Sequence, residues 1–377
     1  MAHALFFKRS IVVVISGAAV GLVAMVTSAK AQGGRNLNNY TVRTLPLPDN
    51  GTGDVSMDYI AFDPATNSLW VPDSNAGAVD VVDVATGNVR QIPHLPTLFV
   101  RGRGGSRILG PFGASLGDGV VYIGNRADSS VCAFHARSLA RSGCAHLGRG
   151  AGTWPEGIAY VAPTKEVWVT TPGEQSIRVL DASTLMQKTK LTFPGQPEGY
   201  AVDAKRSWFY TNLLYIGGVA MANRTRTVAI DLKTHATAAN WNPACGGKPF
   251  APGPHGLALD EAAGHLFIGC PALAEVMNVG GDGTVISKVD TGDGVEDIAY
   301  APATHLLYAG AAHAAKLTIA RADASGTLIT VAQVPTPLGA RNAVVTKDGT
   351  VYLAHASTLA PADGRRLLAL VVVSAAK

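Results

Sequence analysis

The chain has 377 residues, of which 31 are Lys or Arg and 27 are Asp or Glu, so its formal net charge is +4. This near balance, without a stripe dense in Lys and Arg, excludes a protein built to coat nucleic acid. With 47% apolar residues, 15% charged residues and 42 glycines, the composition indicates a globular, turn-rich, all-β chain rather than a helical or disordered one.

The first predicted element is an export signal over residues 1–31. Lys8 and Arg9 precede the apolar run Ile11–Thr27, and Ala29-Lys30-Ala31 places small residues where a signal peptidase reads them. A retained membrane anchor is the alternative, since such a helix needs about twenty apolar residues. We expect cleavage after Ala31, a linker over residues 32–39, and a monomeric, periplasmic or secreted bacterial protein with no membrane span.

One short motif of three positions recurs along the rest of the chain. It has a polar residue, then a residue that is often glycine, and then an apolar residue that begins a strand. Well-preserved copies are Pro155–Tyr160, Pro197–Asp203, Pro254–Asp260 and Val295–Tyr300, and weaker copies are Met57–Asp63, Phe112–Leu116 and Ala340–Val345. Seven copies at intervals of roughly 40 to 60 residues are typical of a repeat protein of the propeller type.

Each copy is followed by the same series of strands. An apolar-aromatic strand such as Leu69-Trp70-Val71 comes first, then a β-branched strand such as Ser176–Asp181, then a turn and a last strand such as Val89–Ile92. This pattern predicts an all-β, seven-bladed β-propeller of four-stranded blades over residues 40–377. The last repeat is one strand short, so we expect Tyr40–Leu47 to complete it and close the ring.

Four cysteines allow three disulfide pairings. Cys132 and Cys144 lie in strands predicted to be neighbours, and Cys245 and Cys270 flank one further hairpin, so we expect these two local disulfides. Such bonds persist in the oxidising compartment to which export would bring the chain. Cysteine ligands to a metal are the alternative, but the sequence has no C-x-x-C motif.

These segments together resemble the YVTN-repeat (YncE-like) family of exported propellers. The resemblance covers nearly all of residues 40–377 and is carried by four segments: Asp58–Thr66, Pro197-Glu198-Gly199 with Asp203, the block from Trp241 and Cys245 through Pro254–Ala258 to Cys270, and Gly339–Asn342. The second repeat departs from the pattern, and Tyr59 replaces a small residue in the first. The resemblance implies a seven-bladed propeller in the periplasm or at the cell surface. It implies no single reaction, because related propellers include lactonases, a lyase and quinone- or haem-associated domains.

Propeller topology predicts where chemistry would lie. The loops before the innermost strands surround one mouth of the central channel, and the residue two positions before each repeat's apolar residue should point there. Those residues are Asp58, Pro111, Glu156, Glu198, His255, Glu296 and Arg341. Loops on the same face add Asp73, Asn75, Asn125, Asn212, His313 and His355. From these we predict the following ligand-binding residues: Asp58, Glu156, Glu198, His255, Glu296, Arg341, Asn125 and Asn212.

Two interpretations of this mouth remain open. Converging carboxylates repel unless a cation or an arginine offsets them, which indicates a polar ligand or a cation. Glu156, Glu198, His255 and Glu296 would suit Ca²⁺, Mn²⁺ or Zn²⁺. Arg341 and His255 could instead hold an anionic or neutral ligand. The alternative is that Pro-Glu-Gly is only a turn motif whose middle residue points into water.

Two functions follow, and we favour the first. In one, the mouth binds a small polar ligand or a partner protein segment without turnover. In the other, a metal-dependent lactonase, esterase-like hydrolase or lyase uses Glu156 or Glu198 as the base, and Arg341 stabilises the developing anion. Arg101–Gly105 with Arg107 forms a separate basic loop that either grips an anion or is simply solvated.

Overall fold

The computed structural model describes residues 39–48, 57–102, 105–218, 224–245, 253–355 and 369–376. The predicted export signal over residues 1–31 lies outside these ranges, as does all but residue 39 of the predicted linker. Within the described ranges, no helix has the length and hydropathy needed to cross a membrane.

Seven four-stranded antiparallel sheets form the blades. Blade 1 contains β2 (Ala61–Asp63), β3 (Ser68–Asp73), β4 (Ala78–Asp83) and β5 (Val89–Ile92). Blade 2 contains β8 (Pro111–Gly117), β9 (Val120–Asn125), β10 (Ser130–His135) and β11 (Arg141–His146). Blade 3 contains β12 (Ile158–Val161), β13 (Glu166–Thr171), β14 (Ser176–Asp181) and β15 (Gln187–Thr192). Blade 4 contains β16 (Gln196–Asp203), β17 (Trp208–Leu214), β18 (Arg226–Asp231) and β19 (Thr237–Trp241).

The remaining blades follow the same order. Blade 5 contains β20 (Leu257–Asp260), β21 (His265–Cys270), β22 (Leu273–Asn278) and β23 (Val285–Asp290). Blade 6 contains β24 (Val295–Ala301), β25 (Leu306–Ala311), β26 (Lys316–Ala322) and β27 (Leu328–Pro335). Blade 7 contains β28 (Ala340–Val345), β29 (Val351–His355), β30 (Ala369–Ala375) and β1 (Tyr40–Pro46). Two single-turn 3-10 helices, Pro172–Glu174 and Ile216–Gly218, lie in loops.

The ring closes as the sequence predicted. Strand β1 pairs with β30 from Tyr40↔Ala375 to Pro46↔Ala369, which gives the last blade its fourth strand. The first strand of each blade contacts the first strand of the next, and β2 contacts β28. These innermost strands therefore surround a central channel, and the seven-bladed propeller is confirmed.

The core lies between the blades. Each of the seven interfaces holds its own apolar cluster; at the first interface Trp70 and Val79 of blade 1 pack with Ile123 and Phe134 of blade 2. Second strands such as Glu166–Thr171 are buried throughout because blades cover both of their faces, which is why they are apolar-aromatic in sequence. Each large apolar side chain buried there contributes about 1.5–3 kcal/mol.

One turn is built in the same way in every blade. The connection from the first to the second strand contains a residue in the left-handed region, with φ between 53° and 81°. These residues are Asn67, Gly119, Lys165, Ser207, Gly264, His305 and Gly349. Glycine fills three of the seven places, since it alone adopts this conformation at no steric cost.

Three further predictions from the sequence concern the disulfides and the basic loop. The two expected disulfides, Cys132–Cys144 and Cys245–Cys270, are both present. The segment predicted as a basic loop is instead a β-hairpin between blades 1 and 2, formed by β6 (Leu98–Gly102) and β7 (Gly105–Leu109). Its turn, residues 103–104, lies outside the described residues.

Candidate functional site

The predicted mouth residues stand at the beginnings of the innermost strands. Glu156 and His255 precede β12 and β20 by two residues. The other three, Glu198, Glu296 and Arg341, lie within the first three residues of their strands. The segments that begin blades 1 and 2 run parallel, since Tyr59 forms a parallel bridge with Gly113. All these strand beginnings therefore meet at one end of the channel.

Glycines let adjacent innermost strands approach closely at this end. A Cβ on Gly113 would overlap the carbonyl oxygen of Glu156, and a Cβ on Gly199 would overlap that of His255. At Gly256 the same atom would overlap the Asp297 carboxylate. The glycine of the repeat thus serves packing between blades, and this packing fixes the backbone from which the charged side chains extend.

Glu156 is paired with an arginine that the sequence analysis did not select. Arg126 Nη2 lies 2.5 Å from Glu156 Oε1, and both side chains are more than nine-tenths buried. The guanidinium also lies over the rings of Phe112 and Trp154, with its carbon 3.2 and 4.7 Å from their centroids. Burial raises the pKa of Glu156 to about 8; Arg126 opposes this shift, and Glu198 and Asp58 add to it.

Glu198 and His255 form a second pair. Glu198 Oε1 lies 3.0 Å from His255 Nδ1. Burial opposes ionisation of Glu198, but the charge and hydrogen bond of His255 outweigh it, and the pKa of Glu198 falls. Burial likewise opposes a charged His255, but Glu198 more than compensates and raises the pKa of His255. Both shifts favour the carboxylate–imidazolium form.

Glu296 and Arg341 form a third ion pair between blades 6 and 7. Each side chain is 21% exposed, so this pair is the more accessible of the two guanidinium–carboxylate pairs. After these three pairs are made, every cationic group at the mouth that was named above has a carboxylate partner.

Two further carboxyl groups remain, Asp58 and Asp297, and Asn342 links them. Asn342 Nδ2 donates to Asp58 Oδ1, and its Oδ1 accepts from the Asp297 backbone N–H at 3.1 Å. Asp58 is fully buried, and its Oδ2 has no hydrogen-bond partner. Burial raises the pKa of Asp58, opposed by Arg341 and Arg126. Burial also raises the pKa of Asp297 to about 8.

Aromatic rings stand beside these carboxyl groups. The rings of Tyr59 and Tyr200 have centroids 6.0 Å apart. Burial, followed by the charges of Asp297 and Asp58, raises the pKa of Tyr59 well above its ordinary value. Both phenols therefore stay neutral at physiological pH.

Three carboxylates converge closely enough to hold a metal ion. Single oxygens of Asp58, Glu156 and Glu296 lie within 4.8 Å of one another. This set shares Glu156 and Glu296 with the metal ligands predicted from sequence, but Asp58 takes the place of Glu198 and His255, which are paired with each other. Three oxygen donors suit a hard divalent cation such as Ca²⁺ or Mn²⁺.

The two predicted asparagines are buried and hold the backbone in place. Asn212 Nδ2 donates to His255 O at 2.7 Å while its Oδ1 accepts from Thr227 Oγ1. Asn125 Nδ2 donates to Pro96 O at 3.0 Å, and its Oδ1 accepts from Ala127 N. Asn212 thus positions His255, whereas Asn125 ties blade 2 to the segment after blade 1.

The other residues predicted on this face make contacts of their own, apart from the three ion pairs described above. Asp73 accepts from the Asn75 and Ala76 N–H groups in a local turn. His355 is buried with Nε2 2.9 Å from Leu338 O, and His313 is largely exposed beside Asp293.

Sequence signals existed for most of the residues that were missed. Tyr59, Asp297 and Asn342 occupy the repeat position where blades 2 to 5 have Gly113, Gly157, Gly199 and Gly256. A polar or aromatic residue at the position usually held by glycine is therefore the sequence signal that selects these three residues. Arg126 had a weaker signal: with Gly113 at the glycine position, the mouth residue of blade 2 is the uncharged Phe112 rather than the predicted Pro111, and Arg126 supplies charge from the loop after β9.

A serine-nucleophile pattern in blade 2 has a structural explanation. Gly113-Ala114-Ser115-Leu116-Gly117 has the G-x-S-x-G spacing but lies entirely within β8. Ser115 Oγ accepts from the Tyr160 backbone N–H at 3.0 Å. A nucleophile elbow needs a sharp strand-to-helix turn, so this serine connects blades 2 and 3 instead.

Comparisons with known proteins establish the fold alone. No protein-family model matches the chain, and no curated protein sequence matches it. Virginiamycin B lyase from Staphylococcus aureus is similar in structure, with a TM-score of 0.64, 12% identity, and coverage of 89% of this chain and 99% of that one. Hydrazine synthase of Kuenenia stuttgartiensis gives a TM-score of 0.65, 16% identity and coverage of 87% and 98%. The WD40 repeats of RRP9 give 0.64, 11%, 89% and 97%. Proteins of such different function share the propeller, so membership of the YVTN-repeat family stays a prediction.

Proposed function

We propose that the protein is an exported binding protein whose channel mouth takes a small polar ligand with an ammonium group, without turnover. The supporting observation is a surplus of acid: three cations are paired with three carboxylates, and Asp58 and Asp297 remain. Among the described residues, no ion pair includes either of them. An oxygen of Asp58 that is buried and without a hydrogen-bond partner is costly unless a ligand supplies a donor.

The aromatic side chains at the mouth favour an organic cation. A cation over the face of a tyrosine ring gains about 0.5–2 kcal/mol, depending on how far it is desolvated. Tyr59 and Tyr200 stand beside the surplus carboxyl groups and keep neutral phenols. We therefore assign the charged end of the ligand to Asp58 and Asp297, and its neutral polar end to the partly exposed Glu296–Arg341 pair.

The proposal of export rests on the two disulfides. Both are formed by local pairs, and such bonds persist mainly in oxidising compartments. Residues 1–31 would supply the signal, and amino-terminal sequencing of the exported protein should begin at Gln32.

Titration calorimetry with choline and putrescine tests the binding site. We expect binding to residues 32–377 that falls at least tenfold in Asp58→Asn, which keeps an acceptor for Asn342 but loses the charge. Asp118→Asn, at an exposed surface pair with Lys165, is the matched control and should bind normally. Equal affinities in both variants would refute the proposed site.

A second candidate function is metal-assisted lactone or ester hydrolysis, or a lyase reaction. The observation that favours it is the position of the Glu198–His255 pair beside Asp58, Glu156 and Glu296, which together fit a divalent cation. A bound cation would supply Lewis-acid polarisation of a carbonyl. Glu198 would hold His255 in place, Glu156 or Glu198 would accept the proton, and Arg341 would stabilise the anion.

Metal analysis separates the two functions. If the second is correct, the protein purified without chelator contains about one equivalent of Ca²⁺, Mn²⁺ or Zn²⁺, and lactone hydrolysis stops after chelation. A protein that binds choline with unchanged affinity in the presence of chelator and has no lactonase activity is a binding protein of the first kind.

A further inference from the structure

The two disulfides differ in how accessible they are. Cys245 and Cys270 are 7% and 0% exposed and belong to the apolar cluster between blades 4 and 5. Cys132 is 5% exposed, but its partner Cys144 lies at an exposed position of β11. A reagent or a protein can therefore reach one sulfur of the Cys132–Cys144 bond while the other disulfide stays covered.

The position of Cys144 follows from its strand. Cys132 and Cys144 are register partners on β10 and β11. Strand β11 is the outermost of blade 2, and its side chains alternate between exposed and half-buried positions. The inner strand β10 is covered by the cluster around Leu95 and Phe134, whereas β11 forms the free rim of the sheet.

A groove opens onto this disulfide. Its volume is about 400 Å³. It is lined by Leu95, Pro96, Asp128, Ser130, Cys132, Arg141, Cys144 and His146. Asp128 in this lining accepts from the Ser130 hydroxyl at 2.7 Å through Oδ1, and its Oδ2 lies 3.9 Å from His146 Nδ1. Arg141 places a guanidinium in the groove, and nearby positive charge stabilises a thiolate.

We propose that Cys132–Cys144 is a thiol–disulfide exchange site for a dithiol oxidoreductase, and that Cys245–Cys270 is a purely structural bond. Exposed disulfides are the more readily exchanged, and buried ones resist reduction. This proposal is independent of the ligand site at the channel mouth, because it rests on the rim of blade 2.

The exchange is a balanced two-electron reaction. A thiolate of the partner attacks Sγ of Cys144, a mixed disulfide forms, and Cys132 leaves as a thiolate that takes a proton from water. The second thiol of the partner loses its proton and attacks the partner's own sulfur, which releases Cys144 as a thiolate that is protonated in turn. The partner dithiol is oxidised to a disulfide, and the Cys132–Cys144 bond is reduced to two thiols.

The test follows both disulfides in the same folded molecule. Residues 32–377 are incubated with reduced thioredoxin, quenched with iodoacetamide at intervals, and the alkylated peptides are counted by mass spectrometry. We expect Cys132 and Cys144 to be alkylated at least ten times faster than Cys245 and Cys270, with the far-UV circular dichroism unchanged. Equal rates, or alkylation that appears only as the circular dichroism is lost, would overturn the proposal.

Variants test the groove itself. Arg141→Gln should slow alkylation of Cys144 at least threefold, because the thiolates lose the guanidinium of the groove. Arg137→Gln, on the exposed turn between β10 and β11, is the matched control and should react at the original rate. Equal slowing in both variants, or none in Arg141→Gln, would contradict the role assigned to the groove.

Discussion

A single repeat position decides how crowded each side of the channel mouth is. Glycine occupies it in blades 2 to 5, and the backbone or side chain of the following blade fills the space beside it. In blades 6, 7 and 1 the same position holds Asp297, Asn342 and Tyr59. The surplus acids, Asp297 and Asp58, lie on blades 6 and 1, and Asn342 of blade 7 links them. Tyr200 of blade 4 meets Tyr59 from another blade.

Protonation of Asp297 should control cation affinity. Its pKa is raised to about 8 by burial, so at pH 6 it holds a proton that a cationic ligand must displace. We expect the affinity for putrescine to rise between pH 6 and pH 8, and each released proton contributes up to about tenfold per pH unit. Calorimetry at three pH values measures this slope, which Asp297→Asn should reduce; an unchanged slope would remove Asp297 from the site.

The same group should make the unliganded protein less stable as pH rises. The folded state binds this proton more tightly than the unfolded chain, whose aspartates titrate near their ordinary pKa. The contribution of Asp297 to the free energy of unfolding is therefore fully present below that ordinary pKa and is lost as the pH rises through about 8. Thermal unfolding from pH 5 to pH 8 should show a falling Tm, and the fall should be smaller in Asp297→Asn. A Tm that rises over this range in both proteins would contradict the assignment.

Sequence reasoning identified the charged repeat position but not how its residues pair. Glu156, Glu198, His255, Glu296 and Arg341 could be selected because each stands at one register of a regular repeat. The partner of Glu156 could not be selected, since Arg126 comes from a loop of blade 2 and meets Glu156 only when adjacent blades pack. The sequence predicts Asn125 and Asn212 as ligand donors, whereas in the structure they donate to Pro96 O and His255 O. These hydrogen bonds depend on loop paths that periodicity does not specify.

At the scale of the element, left-handed turn residues are the repeated device. Every blade has one between its first and second strands, and glycine supplies it in blades 2, 5 and 7. Strand and turn positions were predictable from period-two patterns and from this glycine. The hairpin Leu98–Leu109 was not, because its glycines and arginines are typical of a solvated loop.

Two glycines at this turn position allow the cost of the left-handed backbone to be separated from the cost of close packing. An added Cβ at Gly119 meets nothing within 4 Å, whereas at Gly264 it would lie 2.8 Å from the Cα of Gly280. We expect Gly119→Ala to cost about 1 kcal/mol, from the left-handed backbone alone. Gly264→Ala should cost about 1–3 kcal/mol more, since backbone must also move. Denaturant unfolding measures both; equal losses would show that packing at Gly280 adds nothing.

At the scale of the molecule, one pair of strands joins the two ends of the described chain. Thr41 and Ser374 are register partners on β1 and β30, and their hydroxyl oxygens lie 2.8 Å apart. Because every other repeat supplies four strands and the last supplies three, the sequence predicts that an amino-terminal strand completes the last blade.

A disulfide across this pair should stabilise the ring. Thr41→Cys with Ser374→Cys closes a loop of nearly the whole chain, for which the chain-entropy account gives about 6 kcal/mol, and disulfides typically contribute about 2–4 kcal/mol of such a value. We expect the oxidised variant to unfold about 5 °C higher than the single variant Thr41→Cys. Peptide mapping must first show that the four native cysteines keep their partners. An oxidised variant no more stable than the single variant would mean that β1 does not limit unfolding.

The pairing of Tyr40–Pro46 with Ala369–Ala375 also sets an order of events during biosynthesis. The earlier strand leaves the ribosome more than 300 residues before its partner, so the seventh sheet forms only after β30 has been synthesised. A nascent chain that stops early retains an unpaired edge on β29 and a solitary β1. Incomplete products are thereby distinguished from finished molecules by unpaired strand edges, which are templates for pairing with another chain.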